Sequence, residues 1–167
     1  MAGSAAPPAR LLRSAAALRA DEAPYAAGAL ALAAEAAIHL QQFTAVFYAV
    51  RWIGPLFVVN AVACLAAAAG LAHRHTRPLA AFAGIVISAV ALGGLVLSYG
   101  PGLLGWQEGG WRTAVGLAVI SEVAATLTLA GALALGARTS RHEGASRPTP
   151  PRSIGSRSMA RNMFSTR

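Results

Sequence analysis

The chain has 167 residues, of which 56% are hydrophobic and only 12% are charged, a composition outside the range of soluble globular domains. Its net charge of +8 reflects fourteen arginines against six acidic residues. The arginines lie at the ends of apolar runs and in the tails rather than in one basic patch. This distribution is typical of oriented membrane helices and argues against a nucleic-acid partner.

Four long apolar runs occupy most of the chain. Each is long enough, or nearly so, to cross a hydrocarbon core of ~30 Å as a helix that rises ~1.5 Å per residue. The runs are Ala23–Leu40, Trp52–Ala72, Pro78–Tyr99 and Thr113–Ala137. The sequence therefore predicts an all-α fold, a four-transmembrane-helix bundle over residues 23–137 that sits in a lipid bilayer.

The residues outside the runs predict two tails. Residues 1–22 form an N-terminal tail, and residues 138–167 form a basic tail rich in Arg, Ser, Pro and Gly. The basic tail lacks an apolar face and is therefore expected to be disordered. Its arginines are expected to contact anionic lipid headgroups, each well-placed residue contributing ~1 kcal/mol.

The placement of the arginines predicts the topology. Twelve of the fourteen lie in the two tails or in the short turn between the second and third runs. The other two, Arg51 and Arg112, lie one in each remaining loop. Because cytoplasmic segments keep positive charge, both termini should be cytoplasmic, with residues 41–51 and 100–112 outside the cell membrane.

A cleaved signal peptide is the alternative interpretation of the first run. Basic residues precede it, and the small residues around Ala29-Leu30-Ala31 or Ala31-Leu32-Ala33 resemble a processing site. The run continues past these positions through Leu40, which favours a retained helix. Cleavage near residue 32 would leave a three-helix membrane protein.

The two outer loops differ in character. Aromatic residues at nearly helical spacing in Gln41–Arg51 predict a short interfacial helix or an extension of the first helix, with its rings at the headgroup level. These rings are Phe43, Phe47, Tyr48 and the adjoining Trp52. Glycine and proline in Ser98–Arg112 predict turns, with Trp106 and Trp111 at the same interface.

Each run carries a polar residue at a similar depth, ~12–18 Å from its assigned start. These residues are Glu35, Asn60, Ser88 and Glu122. In the first run, Gly28, Glu35, His39 and Gln42 share one helical face, and in the fourth run Ala118, Glu122 and Thr126 do so. Because lipid does not solvate a carboxylate, both glutamates are expected to point into the bundle, in an intramembrane polar layer with His39, Asn60 and Ser88.

The polar layer allows three interpretations. Its members can hold helices together by hydrogen bonds, each contributing ~0.6 kcal/mol on average, or they can handle protons or cations, or bind a ligand. Glu35 and His39 lie one helical turn apart, but a metal needs further ligands, and Glu122 is the one obvious third. Because the sequence does not establish that Glu122 reaches the other two residues, the sequence interpretation includes no metal site and no cofactor.

Other residues that could indicate a functional site have ordinary structural explanations. His73 and His75 fall in the predicted cytoplasmic turn, where solvated histidines are usual, and Cys64 is typical of a small packing residue. The pattern Gly84-x-x-x-Ser88 permits close helix contact, so homo- or hetero-oligomers can form through small-residue faces. No phosphate loop, nucleophile elbow or Cys/His constellation is present in the sequence, and no enzymatic activity is expected.

Two segments carry a resemblance to a known group of proteins. The first comprises Ile38-His39-Leu40, Tyr48, Trp52-Ile53-Gly54-Pro55-Leu56-Phe57 and Asn60-Ala61-Val62; the second comprises Gly105-Trp106-Gln107-Glu108, Trp111-Arg112 and Glu122. Together they resemble a pattern in uncharacterised small four-helix integral membrane proteins of high-GC bacteria. The resemblance implies a four-span fold and supplies no activity.

The sequence thus predicts a small bacterial membrane protein that is a non-enzymatic partner or assembly component of the envelope. The alternative function is a proton- or cation-coupled carrier built around Glu35 and Glu122. A carrier needs a water path to these acids, whereas a packing role requires a closed interior.

Overall fold

The computed structural model describes residues 8–145, with side chains described over residues 22–138. Four α-helices follow one another: α1 (Pro8–Gln42), α2 (Ile53–Leu71), α3 (Arg77–Tyr99) and α4 (Thr113–Ala145). A π-helical turn, Phe43–Phe47, continues α1 without a break. The predicted all-α four-helix architecture is confirmed.

Four helical segments within residues 8–145 are long and apolar enough to cross a membrane. They are Glu22–Phe47, Ile53–Leu71, Arg77–Tyr99 and Thr113–Arg138. Large apolar side chains cover their outer faces, including Val59, Phe82, Val90 and Leu127. Such a surface needs lipid around it, and the chain has the architecture of a multi-pass membrane protein.

The two outermost helices are longer than their apolar runs. The α1 helix begins at Pro8, inside the predicted tail 1–22, and α4 ends at Ala145, inside the predicted tail 138–167. Alanine, leucine and arginine favour helix beyond the part that lipid can cover. The remaining parts of the predicted tails, residues 1–7 and 146–167, lie outside the described residues.

The helices form a ring in which each packs against its neighbours in sequence and α4 packs back on α1. The α1–α2 and α3–α4 connections meet at one end, here called the loop end, where Phe47 contacts Trp106. The α2–α3 connection lies at the opposite end, the turn end, where Arg77 contacts Glu22 and Tyr25 of α1. Neighbouring helices are therefore antiparallel, as in an up-down-up-down bundle.

Small residues allow the helices to approach closely. A methyl group built on Gly84 of α3 would lie 2.7 Å from Leu129 Cδ1 and 3.0 Å from Leu32 Cδ1. A methyl group on Gly28 of α1 would clash with the same Leu129 side chain. The fully buried Leu129 of α4 thus fits between two glycines, and the face that Gly84 shares with the buried Ser88 is directed into the bundle.

Candidate functional site

The carboxyl group of Glu35 is the centre of a hydrogen-bonded cluster that joins three helices. Asn60 Nδ2 of α2 donates to Glu35 Oε1 at 3.1 Å, and Ser88 Oγ of α3 donates to Oε2 at 2.7 Å. Glu35 and Ser88 are fully buried, and Asn60 is half-buried. Both carboxyl oxygens therefore have a partner, as a buried polar group requires.

His39, one turn further along α1, links Glu35 to α4. Its Nδ1 lies 3.0 Å from the backbone carbonyl oxygen of Glu35. A carbonyl only accepts, so Nδ1 is the nitrogen that carries the proton in this contact. The other ring nitrogen, Nε2, lies 3.8 Å from Glu122 Oε1, which is too long for a direct hydrogen bond.

Glu122 projects from α4 into the same interior and is 2% exposed. Its Oε2 has no hydrogen-bond partner among the described residues, and neither has the buried hydroxyl oxygen of Thr126, one turn further along α4. Both atoms remain available for a proton, a water molecule or a cation. The structure thus brings all five residues of the predicted polar layer into one cluster: Glu35, His39, Asn60, Ser88 and Glu122.

An aromatic cap, formed by Phe47, Phe57 and Trp106, closes the bundle over this cluster at the loop end. Phe57 of α2 lies 5.1 Å from the His39 ring and stacks on Phe47 at 4.5 Å, measured between ring centroids. Trp106 then contacts Phe47 edge-on at 5.2 Å. Through these ring contacts the cap connects His39 of the polar cluster to the loop end.

Phe47 of the cap points into the bundle rather than outward. It is only 3% exposed, while Tyr48 and Trp52 are exposed, and the headgroup depth of these rings stays a prediction. The reason for the inward direction of Phe47 is the π-helical turn, whose hydrogen bonds join residues five apart. It places Phe47 one turn beyond Gln42, on the face of α1 that points inward, whereas an α-helical period turns it outward.

Polar side chains continue from the cluster toward the loop end. The stripe Gly28, Glu35, His39 and Gln42 is buried along its whole length. Arg112 Nη1 donates to Gln42 Oε1 at 3.2 Å, and Arg112 Nη2 donates to Glu108 Oε2 at 2.9 Å. Arg112 also lies over the Phe47 ring at 5.7 Å. Sequence reasoning missed this network because it joins side chains 70 residues apart.

Comparison with known proteins gave no match to a family model, a curated protein or a solved structure. The resemblance to small bacterial four-helix proteins therefore stays a prediction. The function must be argued from the geometry of the site.

The hydrogen bond between Ser88 and Glu35 should make a measurable contribution to stability. We expect Ser88→Ala to lower the free energy of unfolding by ~0.6 kcal/mol, the average measured for interhelical hydrogen bonds in a membrane protein, and by no more than ~1.7 kcal/mol, the largest value measured. Thermal or denaturant unfolding of the protein in detergent measures this change. Ser121→Ala is the matched control, because the buried Ser121 hydroxyl bonds only to Ala118 O of its own helix. Equal losses in the two variants would contradict an interhelical role for Ser88.

Proposed function

We propose that the protein is a non-enzymatic integral membrane protein that acts as a partner or assembly component of the bacterial envelope. The observation that carries this proposal is the carboxyl group of Glu35, which is fully buried and has both oxygens bonded to neighbouring helices. A group held in this way stabilises a bundle, whereas a carrier needs its acid accessible to water. The aromatic cap supports the same conclusion.

The surface of the loop end supports a role in assembly. It presents three large aromatic side chains, with Tyr48 70% exposed, Trp52 57% exposed and Trp111 68% exposed. Tyrosine and tryptophan are enriched both at protein interfaces and at the membrane–water interface. They give this end of the molecule a surface suited to another protein at headgroup depth.

The proposed location is the cell membrane, with both termini cytoplasmic. Among residues 22–138, whose side chains are described, the turn end carries Arg74, Arg77 and, at the end of the fourth span, Arg138, while the loop end carries Arg51 and Arg112. Under the positive-inside rule this distribution supports a cytoplasmic turn end. The arginines beyond residue 138 add to this asymmetry and are proposed to contact anionic lipid headgroups.

A second candidate function is proton- or cation-coupled transport. The observation that favours it is a pair of buried oxygens, on Glu122 and Thr126, that have no hydrogen-bond partner within the part of the chain that the structure describes. Glu122 also lies close to His39. In this mechanism Glu122 and Glu35 would bind the transported cation. It would reach them past Gln42 and Arg112 when the aromatic cap opens.

The assembly proposal predicts a discrete neighbour at the loop end. We expect a photoreactive amino acid in place of Trp111 to give a defined protein adduct in native membranes, detected by gel shift and mass spectrometry. Val90, 68% exposed in the middle of α3, is the control position and should give no protein adduct. Adducts at neither position, or at both equally, would contradict a specific partner at this end.

The transport proposal predicts an ion flux. In sealed vesicles with an imposed membrane potential, a carrier would acidify or load the lumen, and Glu122→Gln would abolish that flux while the protein still folds. We expect the wild-type protein to give the same flux as empty vesicles, because both carboxyl oxygens of Glu35 are held by Asn60 and Ser88. A wild-type flux that Glu122→Gln removes would establish the carrier instead.

The proposed orientation in the membrane predicts that cysteines introduced at the two ends of the bundle are labelled from opposite sides. In a Cys64→Ala background, a membrane-impermeant maleimide should label Gly109→Cys, in the outer loop, in intact cells. It should label His75→Cys, in the α2–α3 turn, only after the cells are lysed. Both positions are exposed. The reverse pattern would overturn the orientation, and a mature N-terminus near residue 32 would establish the signal-peptide alternative.

A further inference from the structure

We propose that Glu35, His39 and Glu122 form a binding site for one divalent transition-metal ion, with Zn²⁺ as the probe ion. Each residue offers one ligand atom, and the three atoms lie within 4.8 Å of one another. All three residues are buried, two on α1 and one on α4. The mixture of one imidazole and two carboxylates is a donor set that Zn²⁺ accepts.

The orientation of His39 suits a metal ligand. Its Nδ1 donates to the carbonyl oxygen of Glu35, which leaves the lone pair of Nε2 directed toward Glu122. Metal-bound histidines usually have their second ring nitrogen fixed by such a bond. Two ligands at bond lengths of 2.0–2.2 Å in a tetrahedral zinc site are about 3.4 Å apart. The observed 3.8 Å between Nε2 and Glu122 Oε1 needs only a small contraction, and the other separations, within 4.8 Å, need a larger movement of the Glu35 carboxyl group.

An independent observation at Glu122 also indicates a cation. Its Oε2 is buried without a hydrogen-bond partner among the described residues, which is costly for an acceptor removed from water. The arginines that form ion pairs in the described region face other acids, Arg77 facing Glu22 and Arg112 facing Glu108. A divalent ion would balance the charge of the two buried carboxylates and give the free oxygen a partner.

The residues around the three ligands would support the metal. Asn60 and Ser88 donate to the oxygens of Glu35 and fix the orientation of that carboxylate, as outer partners do in metal sites. Carboxylate oxygens have further lone pairs, so these bonds do not prevent metal binding. Thr126, one turn from Glu122, supplies another buried oxygen that has no partner among residues 22–138 and is available to a metal-bound water.

The sequence alone argued against a metal because a third ligand was not assured. A histidine and a glutamate one turn apart are common on helices, and Glu122 lies 83 residues beyond His39 in the chain. The packing of α4 on α1 supplies that third ligand. The alternative occupant of the space between His39 Nε2 and Glu122 Oε1 is a single proton. That proton would make His39 and Glu122 an ion pair without a metal.

The test is zinc binding to the full-length protein in detergent, purified with a tag free of histidine. The background carries His73→Ala, His75→Ala and His142→Ala, so that His39 is the one histidine that remains of the four in the chain. Equilibrium dialysis against buffered Zn²⁺ should give one bound ion per chain. Loss of an outer partner of a metal ligand raises the Kd ~10–100-fold, so loss of a ligand in Glu122→Gln or His39→Gln should raise it by at least that much, and Ser121→Ala should leave it unchanged.

X-ray absorption at the zinc edge provides a measurement that needs no variant of the ligands. In the same background we expect one imidazole nitrogen and otherwise oxygen ligands, without sulfur from Cys64. Absence of stoichiometric zinc, a zinc site without imidazole, or affinity unaffected by both ligand variants would overturn the proposal. The first of these results would leave the proton as the occupant.

Discussion

The structure depends on the fact that a carboxyl group in a bilayer must find its partners within the protein. A charged side chain near the centre of a membrane costs on the order of 3 kcal/mol even on the most lenient insertion scale. Glu35 meets this constraint with one bond to α2 and one to α3. The requirement fixes the rotation of α1, because any other rotation would expose the acid to lipid.

Once the rotation of α1 about its axis is fixed in this way, the directions of its other polar side chains follow from the helical period. His39 and Gln42 lie on the face of Glu35, and they are therefore directed toward α4 and the loop end. The π-helical turn adds one further residue, Phe47, to that face. The inward face of α1 therefore ends in a residue of the aromatic cap. The backbone of the turn packs closely on α2, since a methyl group on Gly54 would clash with the carbonyl oxygen of Phe47.

Much of this fold is predictable because its causes are local. The number of spans follows from run length, and the inward face of α1 follows from the spacing of Glu35, His39 and Gln42. The common depth of the polar residues could also be read from position along each run. Each of these properties depends on residues within one helix.

The features that escaped prediction depend on relations between segments or on a change of helical period. The approach of Glu122 to His39 is set by how α4 rotates about its own axis, and α4 has small residues on several faces. The burial of Phe47 required a π-helical turn, which has no simple sequence signal. The extension of α1 and α4 beyond their apolar runs was missed because hydropathy reports what lipid covers, not how far a helix continues outside it.

The order in which the chain is synthesised gives the hydrogen bonds of Glu35 a further consequence. Its partners lie 25 and 53 residues further along the chain, so Glu35 is synthesised before either of them. Its carboxyl group has both partners only after α3 has been made and has brought Ser88 to it. A chain that ended before α3 would leave one oxygen of this buried acid without its bond, and an acid without partners is costly in a bilayer.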